Sequence, residues 1–130
     1  QWLDDPASVI DRWRALVRPG GVLAFSTLLA GSFAEWREAL MAAGVAEPEP
    51  ALPTLDELRA WVGPGADIRT LDLTESYPDG LSFLRALRRA GVDAALGRTL
   101  SAGALRRALK AFEAGGASIG YRAVLVVQKP

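Results

Sequence analysis

Arg14 to Leu28 reads RALVRPGGVLAFSTL, a helical pattern that stops at Pro19-Gly20-Gly21 and leaves at once as a nearly unbroken apolar run, GVLAFST. Glycine tolerates positive φ, so Gly20 and Gly21 let the chain turn from helix to strand within two residues. An apolar run without polar alternation is the pattern of a strand covered on both faces, as when helices pack on each side of a mainly parallel sheet. The expectation set by this junction is an α/β fold.

The rest of the chain repeats the alternation. Asp5-Pro6 reads as an N-cap followed by proline at the first helical position. Val9, Ile10, Trp13, Leu16 and Val17 then recur at helical spacing, which predicts one buried face. Ser32 and Glu35 have the S-x-x-E spacing of a capping box and open a helix closed by Gly44. Residues 45–53, VAEPEPALP, form a proline-rich connector. Thr54 and Glu57 repeat the capping-box pattern before LDELRAW, which ends at Gly63-Pro64-Gly65. Asp67 to Thr74 reads as a strand with Leu71 and Leu73 on one face. Asp79 is placed to cap GLSFLRALRRAG, with Leu81, Leu84 and Leu87 inward and Phe83 beside them. Ser101 caps a further helix with Leu105, Leu109 and Phe112 inside, stopped by Gly115-Gly116. Ile119 to Gln128 is a long β-rich run expected at the centre of its sheet. The predicted order is helix, strand, helix, short helix, strand, two helices, strand.

Composition removes several chemistries. The 130 residues contain no Cys and no His. No disulfide, thiolate nucleophile or Cys-based metal site is possible, and no imidazole base or Ser-His-Asp triad. No metal site is expected. The lack of cysteine fits a reducing, cytoplasmic setting. No apolar run approaches the ~20 residues of a membrane span, and QWLDDPAS lacks the basic start of a signal peptide. The chain begins at Gln1, with Met41 its only methionine. The expectation is therefore the later part of something longer. A three-strand sheet whose first strand is apolar on both faces points the same way, because its open edge would expose unpaired backbone.

Charge is balanced in total but not in distribution. Residues 1–78 carry six Arg against twelve Asp and Glu, and residues 79–113 carry seven cations against three acids. A basic segment in a neutral chain suggests an acidic partner, or a pair of solvated helix faces. Aromatic residues are too sparse among these cations to suggest nucleic acid.

Arg18-Pro-Gly-Gly-Val-Leu-Ala-Phe resembles the helix-to-strand-five junction of class I S-adenosylmethionine-dependent methyltransferases. Gln1-Trp2 followed by Asp4-Asp5 looks like the segment after strand four in that superfamily. GGVLAFSTLLAGS, PTLDELR and YPDGLSFLRALRRAG together resemble the C-terminal half of the malonyl-acyl-carrier-protein O-methyltransferases, which open the pimelate route to biotin. The likeness runs over nearly the whole chain. It implies a Rossmann-like α/β fold cut to strands five, seven and six, in that order, with the last strand antiparallel and helices on both faces. One departure is plain: the glycine-rich loop after strand one and the acidic residue after strand two, which hold the cofactor in that superfamily, have no counterpart here. Gly115-Gly116 ends a helix and enters a strand, the reverse of what a nucleotide loop needs.

The resemblance implies an S-adenosylmethionine-dependent O-methylation of the free carboxylate of malonyl-acyl carrier protein, with residues 1–130 as the acceptor-side part of one domain. A carboxylate is already ionised at pH 7. The reaction therefore needs alignment and water exclusion rather than a general base, and no catalytic residue is expected. Arg85 is the candidate for binding the acceptor carboxylate. Trp2 is the candidate for flanking the cofactor, or else the acceptor. Phe25, Ser26 and Thr27, at the end of their strand, and Tyr121, early in the last strand, would face the acceptor crevice. Arg88, Arg89, Arg106, Arg107 and Lys110 would steer docking of the acidic carrier protein. No nucleic acid and no membrane partner is expected, whereas self-association through the open strand edge is. Without the cofactor loop the chain is expected to be inactive alone. Two other readings stay open: a methyltransferase of the same superfamily for another small acceptor, such as a quinone or another acid, and a non-enzymatic α/β module that docks an acidic protein.

Overall fold

The computed structural model describes residue 3 and residues 5–45, 52–91 and 100–129. Its elements follow the predicted order: α1 (Pro6–Leu16), β1 (Leu23–Leu28), α2 (Ala34–Ala42), α3 (Leu55–Val62), β2 (Asp67–Ser76), α4 (Gly80–Arg89), α5 (Ala102–Ala114) and β3 (Ser118–Gln128). The strands form a sheet of order β1-β3-β2. β3 is therefore central although it comes last. It pairs antiparallel with β1, from Leu23 opposite Gln128 to Leu28 opposite Ala123. On its other side, Tyr77 N–H donates to Ala117 O and Arg122 Nε donates to Asp72, pairings that also run in opposite chain directions. Strand order and the antiparallel last strand are those expected.

The chain divides into two compact units. The first comprises Gln1–Gly31, Ala51–Leu73 and Tyr121–Pro130. Its core joins Ile10 of α1, Leu29, Leu58 and Val62 of α3, and Val124 and Val126 of β3, with Leu23 and Phe25 packed against them. Both helices of this unit thus lie on one face of the strands. Ala24, Ser26 and Leu125, on the opposite face, are exposed. The expected two-sided cover of β1 is not met by the described residues. The strand instead alternates through Ser26, with Leu23, Phe25 and Thr27 half-buried and Ala24 and Ser26 exposed between them, and ends on half-buried Leu28.

α1 is capped by Asp5, whose carboxylate accepts from the Ser8 N–H at 3.1 Å and the Ser8 hydroxyl at 2.5 Å. The helix ends at Leu16, before Pro19, and only Gly20 of the glycine pair has positive φ, +77°. Gly21 is required for space: a Cβ there would stand 2.6 Å from Val17 Cγ1. The predicted inward stripe of α1 is also corrected, since Leu16 is 80% exposed and Trp13 is 40% exposed. The reason is Arg14, one turn after Ile10. Its guanidinium reaches inward to Gln128 Oε1 and to the carbonyls of Trp61 and Val62, while Gln128 Nε2 donates to the same Val62 carbonyl. Those carbonyls end α3, where intrahelical donors run out and a cation is favoured. At the other end of α3 the predicted capping box is present: the Thr54 hydroxyl accepts from Glu57 N–H, and Glu57 Oε2 accepts from Thr54 N–H at 2.7 Å.

The second unit comprises Ser32–Pro50 and Thr74–Gly120. Its centre is aromatic. Phe83 packs with Trp36, Phe112 and Tyr77 at ring-centroid distances of 5.2, 4.9 and 5.3 Å. The Trp36 and Tyr77 pairs are edge-to-face, a geometry that adds to the area term of burial, whereas the Phe112 ring is tilted by 35°. α2 packs on α5, where Trp36 meets Phe112 edge-on at 5.8 Å, and Ala39, Leu40, Ala104 and Ala108 on the two helices are buried. α2 closes with a Schellman arrangement: Gly44, at φ +75°, donates to Met41 O, and Val45 N–H donates to Leu40 O.

The predicted capping box at Ser32 does not form. Phe33 is the N-cap, in the left-handed region at φ 63°, and Ser32 is fully buried one residue earlier. Glu35 is drawn away from a local role: its Oε2 accepts from the backbone N–H of Gly120 at 3.0 Å.

Candidate functional site

α4 begins at a doubly secured N-terminus. Asp79 caps it, accepting from Ser82 N–H at 2.7 Å, and Glu113 of α5 accepts from Gly80 N–H at 2.9 Å. Two carboxylates thus meet the positive end of the helix dipole. The Ser82 N–H, then the Ser82 side chain, with Arg85 as a lesser influence, hold the Asp79 carboxyl below its ordinary range. Gly80 is a close-approach point, because a Cβ there would stand 2.6 Å from Leu109 Cδ2.

This contact sets the roll of α4. Gly80, Phe83 and Leu87 are buried, Leu84 is half-buried, and Leu81 is 51% exposed. The expectation that Leu81 faces inward is corrected. Glycine reads as a spacer in a hydrophobic pattern, yet here it is the inner residue. Arg85, predicted at the edge of the buried face, is exposed, as are Arg88 and Arg89. With a helical spacing of three and four, Leu81, Arg85 and Arg88 follow one another along one outward stripe.

On α5, Ala104, Ala108 and Phe112 are buried, Leu105 and Leu109 are half-buried, and Arg106, Arg107 and Lys110 are exposed. Arg107 is engaged: its Nε and Nη2 donate to Ala43 O at 3.3 and 3.2 Å, closing the C-terminus of α2. All the predicted docking cations, and Arg85, therefore lie on two helices of the second unit.

Phe25, Ser26, Thr27 and Tyr121 belong to the first unit. Phe25 is half-buried against the core and meets Trp13 edge-on at 6.3 Å. Ser26 is exposed opposite Leu125. Thr27 is half-buried opposite Val124, and its hydroxyl donates to Leu28 O at 3.4 Å. Tyr121 is half-buried. Trp2 lies outside the described residues, as does Arg98. Sequence reasoning missed Arg14, Glu35 and Glu113, each of which reaches a backbone group far away in the chain. No local spacing signals such contacts.

The described residues do not fit a cofactor loop. Gly116, at φ +99°, closes α5 and leads into β3 at Ser118, so the backbone donors there do not open a helix. Among the described residues no group of acids could hold a metal ion, and no helix is long and apolar enough to cross a membrane.

An α/β chain with this strand order is related in sequence to methyltransferases. More narrowly, it is a relative of the malonyl-acyl-carrier-protein O-methyltransferases and matches the C-terminal part of such proteins. It is 33% identical over 124 residues to the biotin biosynthesis bifunctional protein BioCD of Bordetella avium, covering 94% of this chain and 26% of that protein. It is 32% identical over 119 residues to the malonyl-acyl-carrier-protein O-methyltransferase of Magnetococcus marinus, covering 88% of this chain and 44% of that one. The enzyme of the same name from Salmonella typhimurium is 36% identical over 97 residues, covering 70% of this chain and 37% of that protein. The chain thus spans less than half the length of these relatives. No protein-family profile matches it.

Proposed function

We propose that residues 1–130 are the acceptor-side part of an S-adenosylmethionine-dependent methyltransferase that O-methylates the free carboxylate of malonyl-acyl carrier protein in biotin synthesis. The observation that carries this reading is the 32% identity to the Magnetococcus marinus enzyme over 88% of the chain. The strand order β1-β3-β2 with β3 antiparallel to β1 supports it, since that is the order the resemblance implies for strands five, seven and six.

The methyl donor is held outside the described residues, and the work assigned to this chain is to receive and align the acceptor. An ionised carboxylate needs no base, which suits a chain without His or Cys. Ser26, Thr27 and Tyr121 are the polar groups assigned to the acceptor side. Phe25, half-buried against the core, is assigned to the same acceptor side. Arg88, Arg89, Arg106 and Lys110 are assigned to the carrier, whose acidic surface they complement. Arg107 is tied to Ala43 and contributes by holding α2 against α5.

Calorimetric titration tests the division of labour. Malonyl-loaded carrier is expected to bind the chain saturably and more weakly as salt rises. S-adenosylmethionine is expected to show no saturable binding. Micromolar affinity for S-adenosylmethionine, or no interaction with the carrier, contradicts the proposal.

A further inference from the structure

We propose that the outward stripe of α4, Leu81, Arg85 and Arg88 with Arg89 beside it, is the surface on which the acidic carrier protein docks, and that Arg85 belongs to this surface rather than to the carboxylate pocket. The inference rests on the reading above and deepens it.

Three observations carry it. First, Leu81 is 51% exposed in the first turn of a helix whose next outward residues are arginines. Cations in the last turn of a helix are explained by its dipole. Leu81 adds an apolar contact on the same face as these charges, and an apolar contact ringed by charge is the make-up of a docking surface. Second, the stripe is held rigidly. Asp79 and Glu113 both bind the N-terminus of α4, and Gly80 lies against Leu109, so the roll of the helix and the face it turns outward are fixed. Preorganisation lowers the ordering cost of binding. Third, Arg85 and Arg88 are neighbours on one helix face, roughly 5–6 Å apart. A malonyl group sits at the far end of the carrier's long thioester arm, which must leave the carrier surface and enter the enzyme. A residue that close to a docking cation meets the carrier's surface and not the distal end of the arm. The α4 stripe lacks aromatic side chains, so stacking on nucleic acid bases has no platform there.

The test uses the whole chain and a fluorescently labelled carrier in two forms, malonyl-loaded and carrying only its free thiol arm, followed by anisotropy at low and raised salt. Arg85→Glu and Arg88→Glu are each expected to weaken binding at least about tenfold at low salt, equally for both carrier forms. Leu81→Ala is expected to weaken binding several-fold with little dependence on salt. Circular dichroism verifies that each variant keeps its helices, and Arg85→Lys is expected to restore most of the affinity. If Arg85→Glu weakens only the malonyl-loaded form, Arg85 reads the carboxylate and the inference is wrong. If the α4 variants bind like the parent chain, the docking surface lies elsewhere while the functional reading stands. If the parent chain binds neither carrier form, the functional reading itself fails.

Discussion

Glu35 and Gly120, 85 residues apart in sequence, are joined by a 3.0 Å hydrogen bond from the backbone N–H of Gly120 to the Glu35 carboxylate. The bond ties the first turn of α2 to the start of the central strand. A Cβ on Gly120 would stand 3.1 Å from Glu35 Oε1, so the carboxylate occupies the space that a side chain would take. In return, Gly120 O accepts from Phe33 N–H at 2.9 Å, which closes a short ring around the left-handed Phe33.

Glu35→Ala leaves a part-buried N–H without this acceptor. The expected loss is about 1–3 kcal/mol, the cost of an unsatisfied backbone donor. Glu35→Gln keeps an acceptor oxygen and is expected to lose less than half as much. Urea denaturation of the three proteins measures both. Equal stability of Glu35→Ala and the parent would remove this contact from the account.

Stability is expected to fall on the acid side. Asp5 is held below its ordinary range by the Ser8 hydroxyl and then the Ser8 N–H, Glu57 by the Thr54 N–H and then its hydroxyl, and Asp79 by the Ser82 N–H. A carboxyl with a lowered folded-state pKa contributes stability that is fully present above its ordinary pKa. That contribution is lost as pH falls through the lowered folded value. The thermal midpoint should therefore be level near neutrality and decline in the acid range, and Asp79→Asn should make the decline shallower. An unchanged acid limb in that variant contradicts the cap's role.

The outer strand β1 is expected to drive self-association. Among the described residues β1 pairs with β3 on one side only, and its Ala24 and Ser26 are exposed. An unpaired strand edge is a template for another chain, and a lysine there blocks pairing. Sedimentation velocity over a concentration series should show association in the parent chain and its loss in Ser26→Lys. A monomer at every concentration would count against it.

The order of elements and four helix N-caps, at Asp5, Thr54, Asp79 and Ser101, could be read from sequence because each cap depends on residues within four positions of one another. The central place of β3 was legible from its run of β-branched and apolar residues. The same local logic failed at Ser32, where a carboxylate found a partner 85 residues away. It also failed for the inward faces of α1 and α4. Periodicity says that a helix has an apolar side, but Arg14 and Gly80 decide how each helix is rolled, through contacts with Gln128 and Leu109. The outward stripe of α4 is only half legible for this reason: its arginines are visible in the composition, whereas periodicity alone puts Leu81 in the core. The two-sided cover of β1 was expected from hydrophobicity alone, which does not say what covers a face.

The central claim is that this chain supplies the acceptor side of a malonyl-carrier methyltransferase. The most direct measurement replaces the matching portion of the Salmonella typhimurium enzyme with this chain and follows labelled methyl transfer to malonyl-loaded carrier. The account predicts transfer to the carrier-bound malonyl group, reduced when Arg85 and Arg88 are reversed to glutamate. A chimera that folds and binds S-adenosylmethionine, yet transfers no methyl group to malonyl-carrier, would contradict it.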